Sequence, residues 1–236
     1  MRVLIAPDKF AGTLTAPEVA AAIAEGWAQR APEDDLVLAP MADGGPGFVD
    51  VLHASLGGDL VAATVSGPLG DRVPAVVLRV GDTAYIEAAQ ACGLDLLTPD
   101  RRDPWRATSY GVGELVAVAV ESGATSVVVG LGGGGTTDGG AGMLAALGAD
   151  ADPGGTLTAG PAGLSALEAV DLAPARAGLE GIALVAATDV ENPLLGLRGG
   201  PGRPTPGDRS LIRFTNPADI RGTGFLVWEH PSSDDE

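Results

Sequence analysis

Cysteine, histidine and lysine are scarce in this chain of 236 residues. The one cysteine, Cys92, excludes an internal disulfide and a cysteine-based zinc site. The two histidines, His53 and His230, are too few and too far apart to predict a histidine-based metal site. No apolar run reaches the roughly 18 residues that a membrane-spanning helix needs. No secretion signal precedes the first predicted strand, so the cytoplasm is the expected compartment.

Positive charge is scarce as well. Fourteen Lys and Arg residues stand against 31 Asp and Glu residues, which gives a formal net charge of −17 at pH 7. This balance argues against binding to nucleic acid or to an anionic membrane surface, because both require basic patches. A site for an anionic small molecule would need its own positive field, from backbone dipoles, a divalent metal ion or a well-placed cation. Lys9 is the single lysine beside thirteen arginines, which suggests a specific use for a compact ammonium group there.

The glycine-rich stretch from Gly130 to Gly142 carries the strongest functional signal. It follows a β-branched run, Thr125–Gly130, that predicts a buried strand, and it leads into a short helical run, Ala141–Leu147. Without Cβ atoms the backbone can approach a ligand closely and direct several N–H groups at one point. The helix start would add partial positive charge, with Asp138 as the N-cap. The stretch therefore predicts a phosphate or carboxylate site formed by Gly132, Gly133, Gly134, Gly135, Thr136, Thr137 and Asp138.

Other interpretations of this stretch stay open. It could be a flexible loop without a ligand. The pattern Gly130-x-Gly132-x-x-Gly135 also matches the dinucleotide-binding pattern, although dinucleotide folds place these glycines after their first strand. A Walker A loop is absent because no Lys-Ser or Lys-Thr pair closes the glycines, and no Gly-x-Ser-x-Gly elbow supports a serine hydrolase.

Polar loops follow three further predicted strands. Arg2–Ala6 leads to Asp8 and Lys9, Leu36–Leu38 leads to Asp43-Gly44-Gly45, and Ile182–Ala186 leads to Thr188-Asp189. In open α/β sheets, ligands bind outside the carboxyl ends of the strands. Acidic side chains at several such ends, beside a phosphate-type loop, predict metal-assisted chemistry on an anion, and carboxylates are suitable ligands for Mg²⁺.

Helices and strands alternate over most of the chain, which predicts the α/β fold class. Thr15-Ala-Pro-Glu18 is a capping box that begins a helix running to about Gln29, and Phe48–Leu56 predicts the next helix. Short β-rich runs over 60–87 predict an antiparallel meander, and a helix is expected over about 109–122. The sequence predicts three parts. Residues 1–58 form an incomplete first α/β domain, and residues 59–196 form a second α/β domain with the glycine loop. Residues 197–236 form an irregular, linker-like tail.

Six motifs resemble the bacterial glycerate kinase family, in the family's order and over roughly residues 1–197. They are Ala6-Pro-Asp-Lys-Phe-x-Gly-Thr-Leu-Thr-Ala-x-Glu-Val-Ala, Ala42-Asp-Gly-Gly-x-Gly, Ser66-Gly-Pro-Leu-Gly, Thr108-x-Tyr-Gly-x-Gly-Glu-Leu, Gly130-Leu-Gly-Gly-x-x-Thr-x-Asp-Gly-Gly-Ala-Gly-Met and Thr188-Asp-Val-x-Asn-Pro-Leu-Leu-Gly. The resemblance implies ATP-dependent phosphorylation of D-glycerate, usually at the 2-hydroxyl, with Mg²⁺. It also implies a flavodoxin-like and a restriction-endonuclease-like α/β domain, and it is compatible with a homo-oligomer.

Candidate roles follow from the resemblance together with the residue pattern. Lys9, Asp43 and Asp189 are the catalytic candidates: Lys9 would neutralise phosphate or carboxylate charge, and the aspartates would orient the hydroxyl or hold Mg²⁺. Asp138 and Asp189 are the candidate Mg²⁺ ligands. Candidate contacts to substrate or phosphate are Asp8, Gly44, Gly45, Asn192 and the glycine stretch 132–138.

The chain departs from the family pattern at several positions. Ala11 stands where the family has Lys, Pro46 where it has Glu, and Gly134-Gly135 where it has Ser-Ala. Beyond Gly196 the sequence leaves the pattern abruptly, so we expect a shortened or frameshifted family member. The alternative to an active kinase is therefore a non-catalytic member that binds small anions or a full-length relative.

Overall fold

The computed structural model describes residues 1–188 and the backbone of a short strand at 225–227. Two candidate site residues, Asp189 and Asn192, lie outside the described residues, as does the predicted tail apart from that strand.

The N-terminal part contains two parallel strands and two helices. β1 (Arg2–Ile5) pairs with β2 (Asp35–Leu38), so that the carboxyl ends of the two strands, Ile5 and Leu38, lie side by side. Each strand leads through a loop into a helix, α1 (Ala16–Arg30) and α2 (Phe48–Leu56). The predicted elements of this part are confirmed, whereas the predicted domain boundary after residue 58 stays a prediction.

Helix α1 begins at Thr15, as the capping box predicts. The Glu18 amide donates to the Thr15 hydroxyl over 3.4 Å, and the Thr15 amide donates to the Glu18 carboxylate over 2.8 Å. This reciprocal pair satisfies two of the amides that a helix start leaves without an intrahelical partner. The buried face of α1 includes Val19 and Ala20.

A mixed sheet forms the centre of the molecule. Its strands are β3 (Asp59–Ser66), β4 (Arg72–Val80), β5 (Thr83–Glu87), β6 (Ser126–Gly130), β9 (Ala183–Ala187) and β10 (Phe225–Val227), in the order β10-β9-β6-β5-β4-β3. Strands β3, β4 and β5 form the predicted antiparallel meander, while β5, β6 and β9 are parallel. The register aligns Glu87, Gly130 and Ala187, so three strands end at one edge.

Helix α4 (Tyr110–Glu121) packs on this sheet and forms the main core with it. Val77, Ile86, Leu115 and Val127 are fully buried there. Burying a side chain of this size contributes about 1.5–3 kcal/mol. The sheet and α4 therefore form a rigid platform for the loops at the carboxyl ends of the strands.

Short elements complete the described part. They are α3 (Ala89–Cys92), α5 (Ala141–Ala146), β7 (Asp150–Asp152), α6 (Pro161–Leu164), β8 (Ala169–Asp171) and α7 (Ala173–Gly178). The strand, glycine loop and helix that the sequence predicts around residue 135 are all present, as β6, 131–140 and α5. The α/β fold class is confirmed. None of the described helices combines the length and apolar composition that crossing a bilayer requires.

Candidate active site at the carboxyl ends of the strands

Loops that follow three different strands meet directly. The Gly132 amide, after β6, donates to the Gly44 carbonyl, after β2, over 2.9 Å. The Leu131 amide donates to the carbonyl of Ala187, the last residue of β9, over 2.9 Å. The structure therefore brings together the glycine loop, the Asp43-Gly44-Gly45 loop and the end of β9, which the sequence analysis treats as one site.

Two glycines allow the loops to approach this closely. Gly44 has φ +83°, a left-handed conformation, and a Cβ atom on it would lie 2.6 Å from the Ala187 carbonyl oxygen. A Cβ atom on Gly132 would lie 2.5 Å from the Cα of Gly45. The lack of side chains at these two positions thus has a packing reason that does not depend on a ligand.

Lys9 lies between two carboxylates. Its Nζ is 3.1 Å from Asp43 Oδ1 and 3.7 Å from Asp8 Oδ1. Asp43 Oδ1 also accepts a hydrogen bond of 2.8 Å from the Gly45 amide, which connects Lys9 to the loop that touches Gly132. Burial would raise the pKa of Asp43, but the hydrogen bonds from the Gly45 amide and the Lys9 ammonium outweigh it and lower that pKa below its usual value. Asp43 is therefore ionised at neutral pH.

The amides of the glycine loop fall into two groups. Leu131, Gly132 and Gly135 donate to the main-chain carbonyls of Ala187, Gly44 and Cys92. Within the described part of the chain, five other amides of the loop donate no hydrogen bond; they belong to Gly133, Gly134, Thr136, Thr137 and Gly139. Gly133, Gly134 and Gly139 are also exposed. The first group holds the loop in place, and the second group has free donors for an anion.

Asp138 differs from the sequence expectation. The residue at the N-cap of α5 is Gly140, not Asp138. The Asp138 carboxylate is nonetheless buried, with 2% of the residue exposed, and it accepts hydrogen bonds from the amides of Gly140 and Gly142 over 3.0 and 3.1 Å. The prediction that the N-terminus of α5 contributes to anion binding is therefore wrong, because the Asp138 carboxylate already accepts hydrogen bonds from these amides.

Asp138 also connects α5 to the start of α4. It accepts hydrogen bonds from the Ser109 amide over 2.7 Å, from the Ser109 hydroxyl over 2.9 Å and from the Thr108 hydroxyl over 3.3 Å. A Mg²⁺ ion at Asp138 would have to replace several of these bonds. Among residues 1–188, no cluster of three or more His, Cys, Asp and Glu side chains that could hold a metal ion occurs.

Glu87 is a site residue that the sequence analysis did not select. Only 6% of it is exposed, and its Oε2 accepts hydrogen bonds from the amides of Gly47 and Val49, over 3.0 and 3.4 Å, at the start of α2. Burial raises the pKa of Glu87 above its usual value, and the nearby negative charge of Asp50 adds to the shift, while these amides oppose it. The sequence did indicate this residue, because an acidic side chain at the end of a predicted buried strand is a candidate site residue. Glu87 attaches the loop 43–47 to the central sheet.

A cleft of about 320 Å³ lies beside Lys9. Asp8 and Lys9 contribute charged groups to its wall, while Phe10, Leu14 and Met41 contribute apolar surface. These three apolar side chains are 41–59% exposed. The cleft therefore offers a charged end and an apolar wall to a small ligand.

Comparison with known proteins gives a consistent result. A model of the glycerate kinase family matches residues 3–201. The chain is 43% identical over 204 residues to the glycerate 2-kinase of Escherichia coli K12 and 41% identical over 203 residues to the glycerate kinase of Bacillus subtilis 168. A crystal structure described as a candidate glycerate kinase 2, from Salmonella typhimurium LT2, is similar with a TM-score of 0.73 at 40% identity.

These similarities cover most of this chain and half of the other proteins. Each of the three comparisons covers 84% of this chain, with 53% of the two relatives and 54% of the Salmonella chain. The chain thus spans about half the length of the curated relatives that it matches.

Proposed function

This chain belongs to the glycerate kinase family, and we propose that it catalyses the ATP-dependent phosphorylation of D-glycerate. The active site in this proposal lies at the carboxyl ends of the protein's strands. The observation that carries the proposal is the group of glycine-loop amides that donate no hydrogen bond to any described residue. They lie next to the loop that contains Asp43, whose carboxylate contacts Lys9. Phosphoryl transfer requires positioning and stabilisation of negative charge more than covalent chemistry. Fixed backbone amides provide both, even in a molecule with a net charge of −17.

Each of the described site residues has a proposed role. The amides of Gly133, Gly134, Thr136, Thr137 and Gly139 bind phosphate oxygens of the nucleotide, and the Lys9 ammonium reduces the repulsion between these phosphates and the acidic protein. Asp43 accepts a hydrogen bond from the hydroxyl of glycerate. Because the pKa of Asp43 is lowered, it is a weak base, so its role is to orient the hydroxyl more than to remove its proton. Asp8, Gly44 and Gly45 position Lys9 and Asp43.

Magnesium is part of the proposal. When bound, Mg²⁺ neutralises negative charge on the phosphate oxygens of ATP. One or two carboxylates suffice to hold it, because it retains water and phosphate oxygens as further ligands. Asp8 and Asp43 are two carboxylates within 4 Å of the Lys9 ammonium and fit this requirement. Asp138 fits it less well because both of its oxygens already accept hydrogen bonds, whereas those to Asp8 and Asp43 use Oδ1 alone. Asp189 remains a proposed ligand outside the described residues.

The proposed product is 2-phosphoglycerate. The Escherichia coli relative, 43% identical over 204 residues, is named a glycerate 2-kinase. Transfer to the 2-hydroxyl in this chain is inferred from that similarity.

A second candidate is binding of small anions without turnover. Two observations favour it: the chain matches 53% of the length of the Escherichia coli relative, and the β1–β2 pair is exposed at Leu4 (66%) and Leu38 (48%). Parallel strands are normally covered on both faces. A first domain that is competent in catalysis would therefore need other residues to cover these two strands. Anion binding by the glycine loop would not need this cover, because the loop lies on the central sheet.

A turnover assay with Lys9→Met tests the first candidate. Wild-type protein with MgATP and D-glycerate is expected to release ADP, with 2-phosphoglycerate identified by ³¹P NMR. The variant keeps the aliphatic length but removes the charge, and its turnover should fall about a hundredfold. Arg30→Met, which removes an exposed cation from the last turn of α1, is the matched control and should retain turnover.

The two candidates give different results. Calorimetric titration with ADP and with D-glycerate measures binding independently of turnover. Binding without turnover would support the second candidate, and turnover that survives Lys9→Met would contradict the proposed role of Lys9.

A further inference from the structure

A second cleft, of about 480 Å³, lies at the turn between β3 and β4, against the segment that precedes α4. We call it the arginine cleft, and its walls include Leu69, Asp100, Arg101, Arg102, Asp103 and Arg106. Residues 1–188 contain nine Lys and Arg side chains, and three of them line this one cleft. A concentration of cations is unexpected in a chain with a net charge of −17.

Two of these guanidinium groups have no described carboxylate within ion-pairing distance. Arg101 forms an ion pair with Asp71. Arg102 and Arg106, in contrast, make no ion pair and no side-chain hydrogen bond to any other residue that the structure describes. Both therefore keep a full set of donors for a ligand.

The acids in the cleft have partners of their own. Asp103 Oδ1 accepts a hydrogen bond of 3.0 Å from the Trp105 amide. A hydrogen bond from the side chain of Thr98 holds the pKa of Asp100 below its usual value. Neither acid forms an ion pair with Arg102 or Arg106 in the described part of the chain.

The segment that carries the arginines is held in place on two sides. The Thr108 amide donates to the Pro68 carbonyl over 2.9 Å, which attaches the segment to the β3–β4 turn. The Thr136 hydroxyl donates to the Ala107 carbonyl over 2.6 Å, which attaches it to the glycine loop. The end of the segment that directly follows Arg106 is therefore fixed by hydrogen bonds to two other parts of the fold.

We propose that the arginine cleft binds a phosphate-bearing anion. The forked donors of guanidinium match phosphate oxygens, and two guanidinium groups that have no ion-pair partner among the described residues suit a doubly charged phosphate group better than a single carboxylate. The volume exceeds that of one phosphate ion and is in the range of sites for larger ligands. The phosphate chain of a nucleotide and a free phosphorylated molecule share this chemistry. The proposal does not depend on the kinase reaction.

Calorimetric titration at fixed ionic strength tests the cleft. The probes are inorganic triphosphate and ADP, and the variants are Arg102→Gln and Arg106→Gln. Each variant should weaken triphosphate binding about tenfold, because each removes charge-assisted hydrogen bonds. Arg176→Gln is the matched control because it removes the same charge. Like Arg102 and Arg106, Arg176 is exposed and has no ion pair among the described residues. It should change binding less than about twofold.

The outcomes separate the sources of the phosphate. If the arginine variants weaken ADP and triphosphate binding equally, the ligand of the cleft is the phosphate chain of a nucleotide. If they weaken triphosphate binding alone, the ligand is a free phosphate-bearing anion. The proposal is overturned if wild-type protein does not bind triphosphate, if neither arginine variant weakens binding, or if Arg176→Gln weakens it equally. Turnover is measured separately, so an inactive protein whose triphosphate binding depends on Arg102 would contradict only the proposed function.

Discussion

At the scale of the residue, buried carboxylates organise this site. Asp138 accepts hydrogen bonds from amides at the starts of both α4 and α5, and Glu87 accepts them at the start of α2. Anionic groups are stabilised at helix N-termini, where unpaired amides converge. Glu87 thus connects α2 to the end of β5, Asp138 connects α4 to α5, and neither role requires a ligand.

Asp138→Asn tests the structural role of the buried carboxylate. The amide nitrogen of asparagine cannot accept a hydrogen bond. In place of Oδ1 it would leave the Gly140 amide without its acceptor, and in place of Oδ2 it would leave the donors of Ser109 and Gly142 without theirs. We expect the free energy of unfolding to fall by about 2–3 kcal/mol in urea denaturation. Asp150→Asn, at an exposed position in β7, should change it by less than about 0.5 kcal/mol. Equal effects of the two substitutions would contradict the role of Asp138.

Glu87 gives a prediction about pH. Because its pKa is raised on folding above the ordinary value of 4.5, the folded protein binds this proton more tightly than the unfolded chain. The contribution of this group to stability is therefore full below its unfolded pKa and is lost as the pH rises through its folded pKa. In Glu87→Gln the side chain at this position has no titratable group. Relative to wild type, the free energy of unfolding of the variant should increase as the pH rises above the ordinary pKa of 4.5. A difference that does not change with pH there would contradict the raised pKa.

At the scale of the element, the contact between loops decides the shape of the site. Gly132→Ala would place a Cβ atom 2.5 Å from the Cα of Gly45, while Gly134→Ala, in the same loop, would meet no atom within 4 Å. We expect Gly132→Ala to lower the free energy of unfolding by about 1–3 kcal/mol and to weaken ADP binding, because the two loops must separate. Gly134→Ala should leave the free energy of unfolding unchanged. Similar results for the two variants would show that close contact at Gly132 is not required.

The elements themselves were largely predictable from local sequence. The β-branched run Thr125–Gly130 and the capping box at Thr15 each predicted a boundary within one residue of the structure, because strand propensity and capping depend on neighbouring residues. The N-cap of α5 was not predicted. Ser109 lies 29 residues before Asp138, and no local pattern indicates that the Asp138 carboxylate reaches it. The same holds for the arginine cleft, which long-range contacts assemble.

At the scale of the whole molecule, the central sheet and the N-terminal strands differ in coverage. Leu78, Ile86 and Val127, on β4, β5 and β6, are completely buried, whereas Leu4 and Leu38 of the β1–β2 pair are 66% and 48% exposed. Helix α1 packs against this pair and Ile5 is buried, but two strands that remain exposed at Leu4 and Leu38 have less to stabilise them than strands buried on both faces. The part of the site that contains Lys9 and Asp43 thus lies on the less stable part of the described fold.

Hydrogen exchange tests this difference. Measured by mass spectrometry on the whole chain, backbone amides of β1 and β2 should exchange faster than those of β4, β5 and β6, because local opening requires less free energy there. The peptide containing β6 is the internal control, since it is a parallel strand of similar length. Protection of β1 equal to that of β6 would contradict the prediction and would indicate that the first strands are covered in solution.

The central claim is that unpaired amides of the glycine loop bind phosphate, and amide NMR of the ¹⁵N-labelled chain during titration with ADP tests it most directly. Gly133, Gly134 and Thr137 donate no hydrogen bond among the described residues, whereas Leu131 and Gly132 donate to main-chain carbonyls. We predict that the first group shifts on ADP binding and that the second group shifts much less. Saturable ADP binding that leaves Gly133 and Gly134 unshifted would contradict the claim.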